Sequence, residues 1–104
     1  MDNKYKEIFK LKKLLTDARI PFRFVNDSFE LDNFKTTTYH IFYPDREKVV
    51  CSVIEGDHSY GSKYDLLEIR GLLTRREHKH DLVAGFLTAE EVFKRIERHY
   101  KKKK

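Results

Sequence analysis

Residues 36–55, TTTYHIFYPDREKVVCSVIE, decide how the chain is read. Two runs rich in β-branched and aromatic residues flank Pro44-Asp45-Arg46-Glu47, where proline presets the backbone angle of a turn. The stretch predicts a hairpin whose two strands form the middle of a sheet. Upstream, Phe22 and Phe24 alternate in PFRFVND and Phe29 and Leu31 alternate in SFELD, with Asn26-Asp27 as a turn signal between them. These predict a strand, then a second short strand or extended loop. Tyr5, Ile8, Phe9, Leu11, Leu15 and Ala18 recur at three- and four-residue spacing until Pro21, the pattern of an amphipathic helix with lysines on its outer face.

Downstream, LVAGFL is a short apolar strand running into Thr88-Ala89-Glu90-Glu91, a capping box. Val92, Phe93, Ile96 and Tyr100 then line one face of a closing helix. Between hairpin and strand, Leu66, Ile69 and Leu73 share a helical face, and Ser62 with Asp65 offers a second capping box, so a helix is expected over 64–73. The expectation is one α+β domain over residues 1–104. It has an antiparallel-rich sheet of three to four strands and helices at the N-terminus, after the central hairpin and at the C-terminus. A flexible basic tail follows at 101–104. The expected core is Ile8, Leu15, Phe24, Ile41, Val49, Cys51, Val53, Leu66, Ile69, Val83, Phe93 and Ile96.

Composition narrows the function classes. The length of 104 residues suits one core. No 18-residue apolar run and no signal-peptide pattern is present, which points to a cytoplasmic protein with no membrane partner. With Cys51 as the only cysteine, neither an intramolecular disulfide nor a multi-cysteine zinc site is available. The net charge of +5 falls to +1 once the four lysines at 101–104 are set aside, and residues 21–74 are net acidic.

The words CSVI, the SYG loop, DLLEI, GLLT and GFLTAEEVFKRI cover about the C-terminal half of the chain. They resemble a set of small proteins encoded by phages and prophages of Gram-positive bacteria. The resemblance implies an origin in a bacterial host cell; no activity is attached to that family and no site residue is transferred from it.

Two metal chemistries present themselves. The order of helix, strands, helix and strand resembles restriction-endonuclease-like nucleases, and Pro44-Asp45 followed by Glu55-Gly56-Asp57 resembles their metal-binding pattern. The lysine expected two positions after the second acid is here Asp57. A seven-residue strand between Asp45 and Glu55 would separate them by about 20 Å, against the ~4 Å between the two metals of such a site. A nuclease would therefore need Asp32, Glu55 and Asp57 together. His78 and His80, with Asp81, could offer two imidazoles and a carboxylate, yet REHKHD reads as a solvated loop without the dry shell that orients ligands. In the Glu55-Gly56-Asp57-His58 loop each polar residue has a local structural use: Asp57 and Ser59 bond nearby amides, Gly61 permits a positive φ and Ser62 caps the helix. No cofactor is expected.

The reading is a non-enzymatic accessory or adaptor protein that binds another macromolecule. A protein partner is favoured, at Tyr39, Tyr43, Tyr60 and Tyr64 beside acidic residues. Nucleic acid is the alternative, at Lys6, Lys10, Lys13, Arg95, Arg98, Lys101 and Lys102, provided the two terminal helices share one side of the sheet.

Overall fold

A computed structural model describes residues 4–103. The periodic apolar residues of the N-terminal segment form α1 (Glu7–Asp17), which buries Ile8, Leu11 and Leu15. The C-terminal helix α3 (Ala89–Lys102) buries Ala89, Val92 and Ile96. Its start is the expected capping box: Thr88 Oγ1 accepts from the Glu91 amide and the Glu91 carboxylate accepts from the Thr88 amide at 2.9 Å.

Seven strands lie between these helices, numbered in chain order. β1 (Arg23–Asn26), β4 (Thr38–Tyr43), β5 (Cys51–Gly56), β6 (Leu67–Arg70) and β7 (Val83–Leu87) make one antiparallel sheet in that spatial order. β2 (Phe29–Leu31) and β3 (Phe34–Thr36) form a separate two-stranded hairpin inserted between β1 and β4. Strand alternation sorts the sheet into two faces. Phe24, Ile41, Val53, Ile69 and Ala84 stand in one cross-strand row facing the helices, and both α1 and α3 pack their apolar stripes onto this row. The opposite face carries half-buried His40, Phe42, Ser52 and Ile54.

The α+β class and the central hairpin stand as expected, with five strands in the main sheet. Three local expectations are corrected. Residues 64–73 do not form a helix: a 3-10 turn at Ser62–Tyr64 leads into β6. The alternation of inward Leu67 and Ile69 with Glu68 and Arg70 is a strand pattern, and it wins because β6 pairs on both sides, with β5 and β7. Gly71 then ends the strand at φ 93°, where an added Cβ would lie 2.1 Å from the Val50 carbonyl oxygen. The middle helix is α2 (Arg75–His80), so RREHKH is helix and not loop; Thr74 and Glu77 supply its capping box. The expected tail begins as helix, since α3 continues through Lys102; Lys104 lies outside the described residues. Of the expected core, Val49 is 44% exposed in the hairpin turn, while Phe24, Leu66, Val83 and Phe93 are half-buried.

Register fixes the two ends of the sheet. Asn26, Thr38, Gly56, Leu67 and Leu87 stand at one end, and Arg23, Tyr43, Cys51, Arg70 and Val83 at the other. The first turns of α1 and α3 meet at the first end, where Glu7 Oε1 accepts from the Ala89 amide at 2.8 Å. α3 reaches the second end, where Tyr43 Oη and His99 Nδ1 are 2.8 Å apart.

Candidate functional site

The Glu55-Gly56-Asp57-His58 loop belongs to the first end of the sheet. Glu55 is the last inward residue of β5 and is fully buried, with Oε1 accepting from the Ile8 amide at 3.0 Å. Asp65 Oδ1 accepts from the Lys6 and Glu7 amides at 2.7 and 3.1 Å. Between them, two carboxyls from the β5–β6 segment satisfy three of the amides that begin α1, groups a helix cannot satisfy internally. Asp57 accepts from the Tyr5 hydroxyl and from the Thr37 amide at 2.9 Å, tying α1 to the segment before β4.

The electrostatics follow from these partners. Burial, then the hydrogen bond with Asp65, pushes the Glu55 carboxyl up to about 9, so it is held as the neutral acid near pH 7. Among the described residues no donor faces its Oε2, as suits a carboxyl that carries its own proton. The Tyr5 hydroxyl, followed by the Thr37 amide, holds Asp57 below the usual carboxylate range.

The arrangement required of a nuclease is therefore not assembled. Glu55 is sealed under α1, Asp57 is engaged by Tyr5 and Thr37, and Asp32 sits exposed between β2 and β3. Asp45 is used by the hairpin turn, accepting from the Glu47 and Lys48 amides. His78 and His80 are exposed on α2, and His40 stacks on Phe42 beside Asp27. Among the described residues, no three His, Cys, Asp or Glu side chains lie close enough together to hold a metal ion. The local reading of the loop is right for Ser59, whose Oγ accepts from the Gly56 amide at 3.0 Å, and for the positive φ of Gly61. It is wrong for Asp57, whose partners lie far along the chain, and for Ser62, which caps no helix.

The four tyrosines part company. Tyr43 is buried against His99, and half-buried Tyr39 packs inward on Phe9 and Phe24; both point inward because they alternate with outward His40 and Phe42. Tyr60 and Tyr64 are 55% and 71% exposed, and Phe86, which sequence reasoning missed, joins them at 57%. The Tyr64 and Phe86 rings are 6.3 Å apart. Together with Ser59, Gly61 and Lys63 they line a notch of about 190 Å³. β7 bulges here: Ala84 pairs with Ile69 and Leu87 with Leu67, leaving one extra residue on β7, and Phe86 takes φ 60°. Tyr60 lies over Gly85, where an added Cβ would sit 2.5 Å from the Tyr60 Cβ. The Gly85-Phe86 pair in LVAGFL was the available signal, since glycine inside a strand often marks a bulge.

The cationic candidates separate as well. α1 and α3 do share one side of the sheet, but Lys10 pairs with Glu90 at 2.6 Å and Lys13 with Asp17 at 3.3 Å. Lys101 lies 3.6 Å from Glu97. Arg95 makes a two-pronged contact with Glu77, at 2.7 and 2.9 Å, and donates to the Leu72 carbonyl at 3.2 Å. That guanidinium holds Glu77 at about 2. Lys6, Arg98 and Lys102 are exposed. Against these two surfaces, one aromatic and one cationic, no protein-family model, curated protein or solved structure matches the chain.

Proposed function

We propose that the chain is a non-enzymatic adaptor domain that binds a protein partner through the Tyr60, Tyr64 and Phe86 notch. The observation that carries this reading is Phe86, a bulky aromatic held at φ 60° on an edge strand. An ordinary side chain in that conformation costs about 1–2 kcal/mol, and the result is a half-exposed ring beside two exposed tyrosines. Strained backbone that displays an aromatic cluster is more easily explained by contact than by folding. Aromatic anchors dominate protein interfaces, and the SYG loop and β7 present three of them on one surface. The resemblance to phage and prophage proteins supports a role for such an adaptor in the cytoplasm of a bacterial host.

A photo-crosslinking residue placed at Tyr64, with the same residue at Lys13 as the reference, tests the proposal in bacterial cells. One discrete protein adduct is expected from position 64 and none from 13. The purified partner should then bind at least tenfold more weakly to Phe86→Asn, a change that keeps a side chain tolerant of positive φ and removes the ring. Equal adducts at both positions, or unchanged affinity for Phe86→Asn, would refute it.

A further inference from the structure

At the opposite end of the sheet a groove of about 570 Å³ runs between the second half of α3 and the Leu72-Leu73-Thr74 segment after β6. One wall is a stripe of Lys94, Arg98 and Lys102 at four-residue spacing, which sets successive cations about 6 Å apart along the helix, with about 12 Å from first to last. The floor is the half-buried pair Leu72 and Leu73.

These three cations differ from the other basic groups of the two terminal helices. All three are exposed, and among the described residues none has a carboxylate within ion-pair distance. The nearest acids are already engaged. Glu90, one turn before Lys94, is held by Lys10. Glu91, on the groove wall, caps the Thr88 amide. Arg95 braces the structure from within, joining α3 to Leu72 and to Glu77 of α2, so the groove keeps its shape without using the stripe. Like charges at four-residue spacing disfavour a helix standing alone, a repulsion that the helix dipole offsets only in the last turn, at Lys102.

We propose that this groove binds a single strand of nucleic acid, with Lys94, Arg98 and Lys102 on successive phosphates and the sugar and base edges against Leu72 and Leu73. A strand rises about 3.4 Å per phosphate in a duplex and more when extended, so cations about 6 Å apart match successive phosphates of an extended strand, three over about 12 Å. The groove suits one strand, because a single apolar floor faces a single line of charge. The site lies at the end of the sheet remote from the aromatic notch, so its failure and that of the protein-binding reading are independent.

The test is fluorescence anisotropy of a labelled 12-nucleotide oligothymidylate against the full chain, over a salt series. Three contacts to a single strand predict that log affinity falls with log salt with a slope of about −2. The triple variant Lys94→Gln/Arg98→Gln/Lys102→Gln is expected to lose at least tenfold in affinity and most of that slope. The reference triple Arg23→Gln/Lys35→Gln/Lys48→Gln removes the same charge at exposed positions elsewhere and is expected to bind within twofold of the parent. Shifts of the Leu72 and Leu73 amide signals on titration provide a second readout. Equal losses in both triples would reduce the effect to bulk charge and overturn the site. Absence of binding at 50 mM salt, competition by polyglutamate as strong as by oligothymidylate, or tighter binding of a duplex of equal length would each overturn it too.

Discussion

Replacing Glu55 by Gln should stabilise the fold, by an amount that grows with pH. The buried carboxyl titrates near 9 when folded, against an ordinary value of 4.5. Its folded pKa is raised, so between these two values the folded state holds a proton that the unfolded state has released, and stability falls as pH rises. The penalty is absent below 4.5 and accumulates at about 1.4 kcal/mol per pH unit above it. At pH 7, 2.5 units above the unfolded value, it amounts to about 3 kcal/mol. Glutamine keeps a carbonyl for the Ile8 amide and offers an N–H₂ donor towards Asp65 in place of the acid proton, without titrating. Urea unfolding followed by circular dichroism at pH 5, 6, 7 and 8 measures the difference between parent and variant. A difference that is small at pH 5 and widens in favour of Glu55→Gln at each step is the expected result. A difference that does not change with pH, or a glutamine variant less stable than the parent at pH 8, would refute the neutral buried acid.

Three further outcomes follow from named contacts. Gly71→Ala places a methyl 2.1 Å from the Val50 carbonyl at φ 93°, so it should cost more than about 3 kcal/mol, read as a loss of thermal midpoint that Leu72→Ala does not match. Glu77 has a depressed folded pKa of about 2, so its pairing with Arg95 stabilises above 4.5 and is lost as pH falls towards 2; because both side chains keep some solvent contact the contribution should be about 1 kcal/mol, and Arg95→Met should abolish that part of the acid dependence in unfolding titrations. Burial pushes the Cys51 thiol up to about 12, so at pH 8 a thiol reagent should label it only at the rate of global unfolding; fast labelling of the native protein would show the β4–β5 end to be open.

What could be read from the chain beforehand depended on how local the determining forces are. α1, α3, the central hairpin and the Thr88 capping box are set by spacing within a dozen residues, and all four are where the pattern places them. β6 defeats that logic because Leu66, Ile69 and Leu73 fit a helical face while Leu67, Glu68, Ile69 and Arg70 fit a strand, and only pairing with β5 and β7 decides between them. α2 lacks any apolar stripe, yet Thr74-Arg75-Arg76-Glu77 carries a capping-box spacing that marks its start. Asp65 serves the first turn of α1, 58 and 59 residues away, and nothing in its neighbourhood announces that. For the surfaces, the tyrosines were separable only through strand parity, which turns Tyr39 and Tyr43 inward. That Lys94 lines one groove with Leu72 and Leu73 follows from tertiary packing that no local pattern announces.

The inserted β2–β3 hairpin hides a simpler topology than seven strands suggest. β1 and β4 pair directly up to Asn26 and Tyr39, and the Asp27 amide donates to the Thr38 carbonyl at 2.9 Å, closing the neck of the insert. With residues 28–37 regarded as one long turn, every strand of the sheet pairs with its immediate successor in the chain. Such a meander forms by short-range zipping, which favours rapid folding. Because the entropy of closing a loop grows only with the logarithm of its length, the neck admits turns of very different size at a cost of about 0.6 kcal/mol per doubling. The exposed Phe29, Leu31 and Phe34 thus sit on a part of the molecule whose tip can be lengthened or shortened while the sheet and both terminal helices stay as they are.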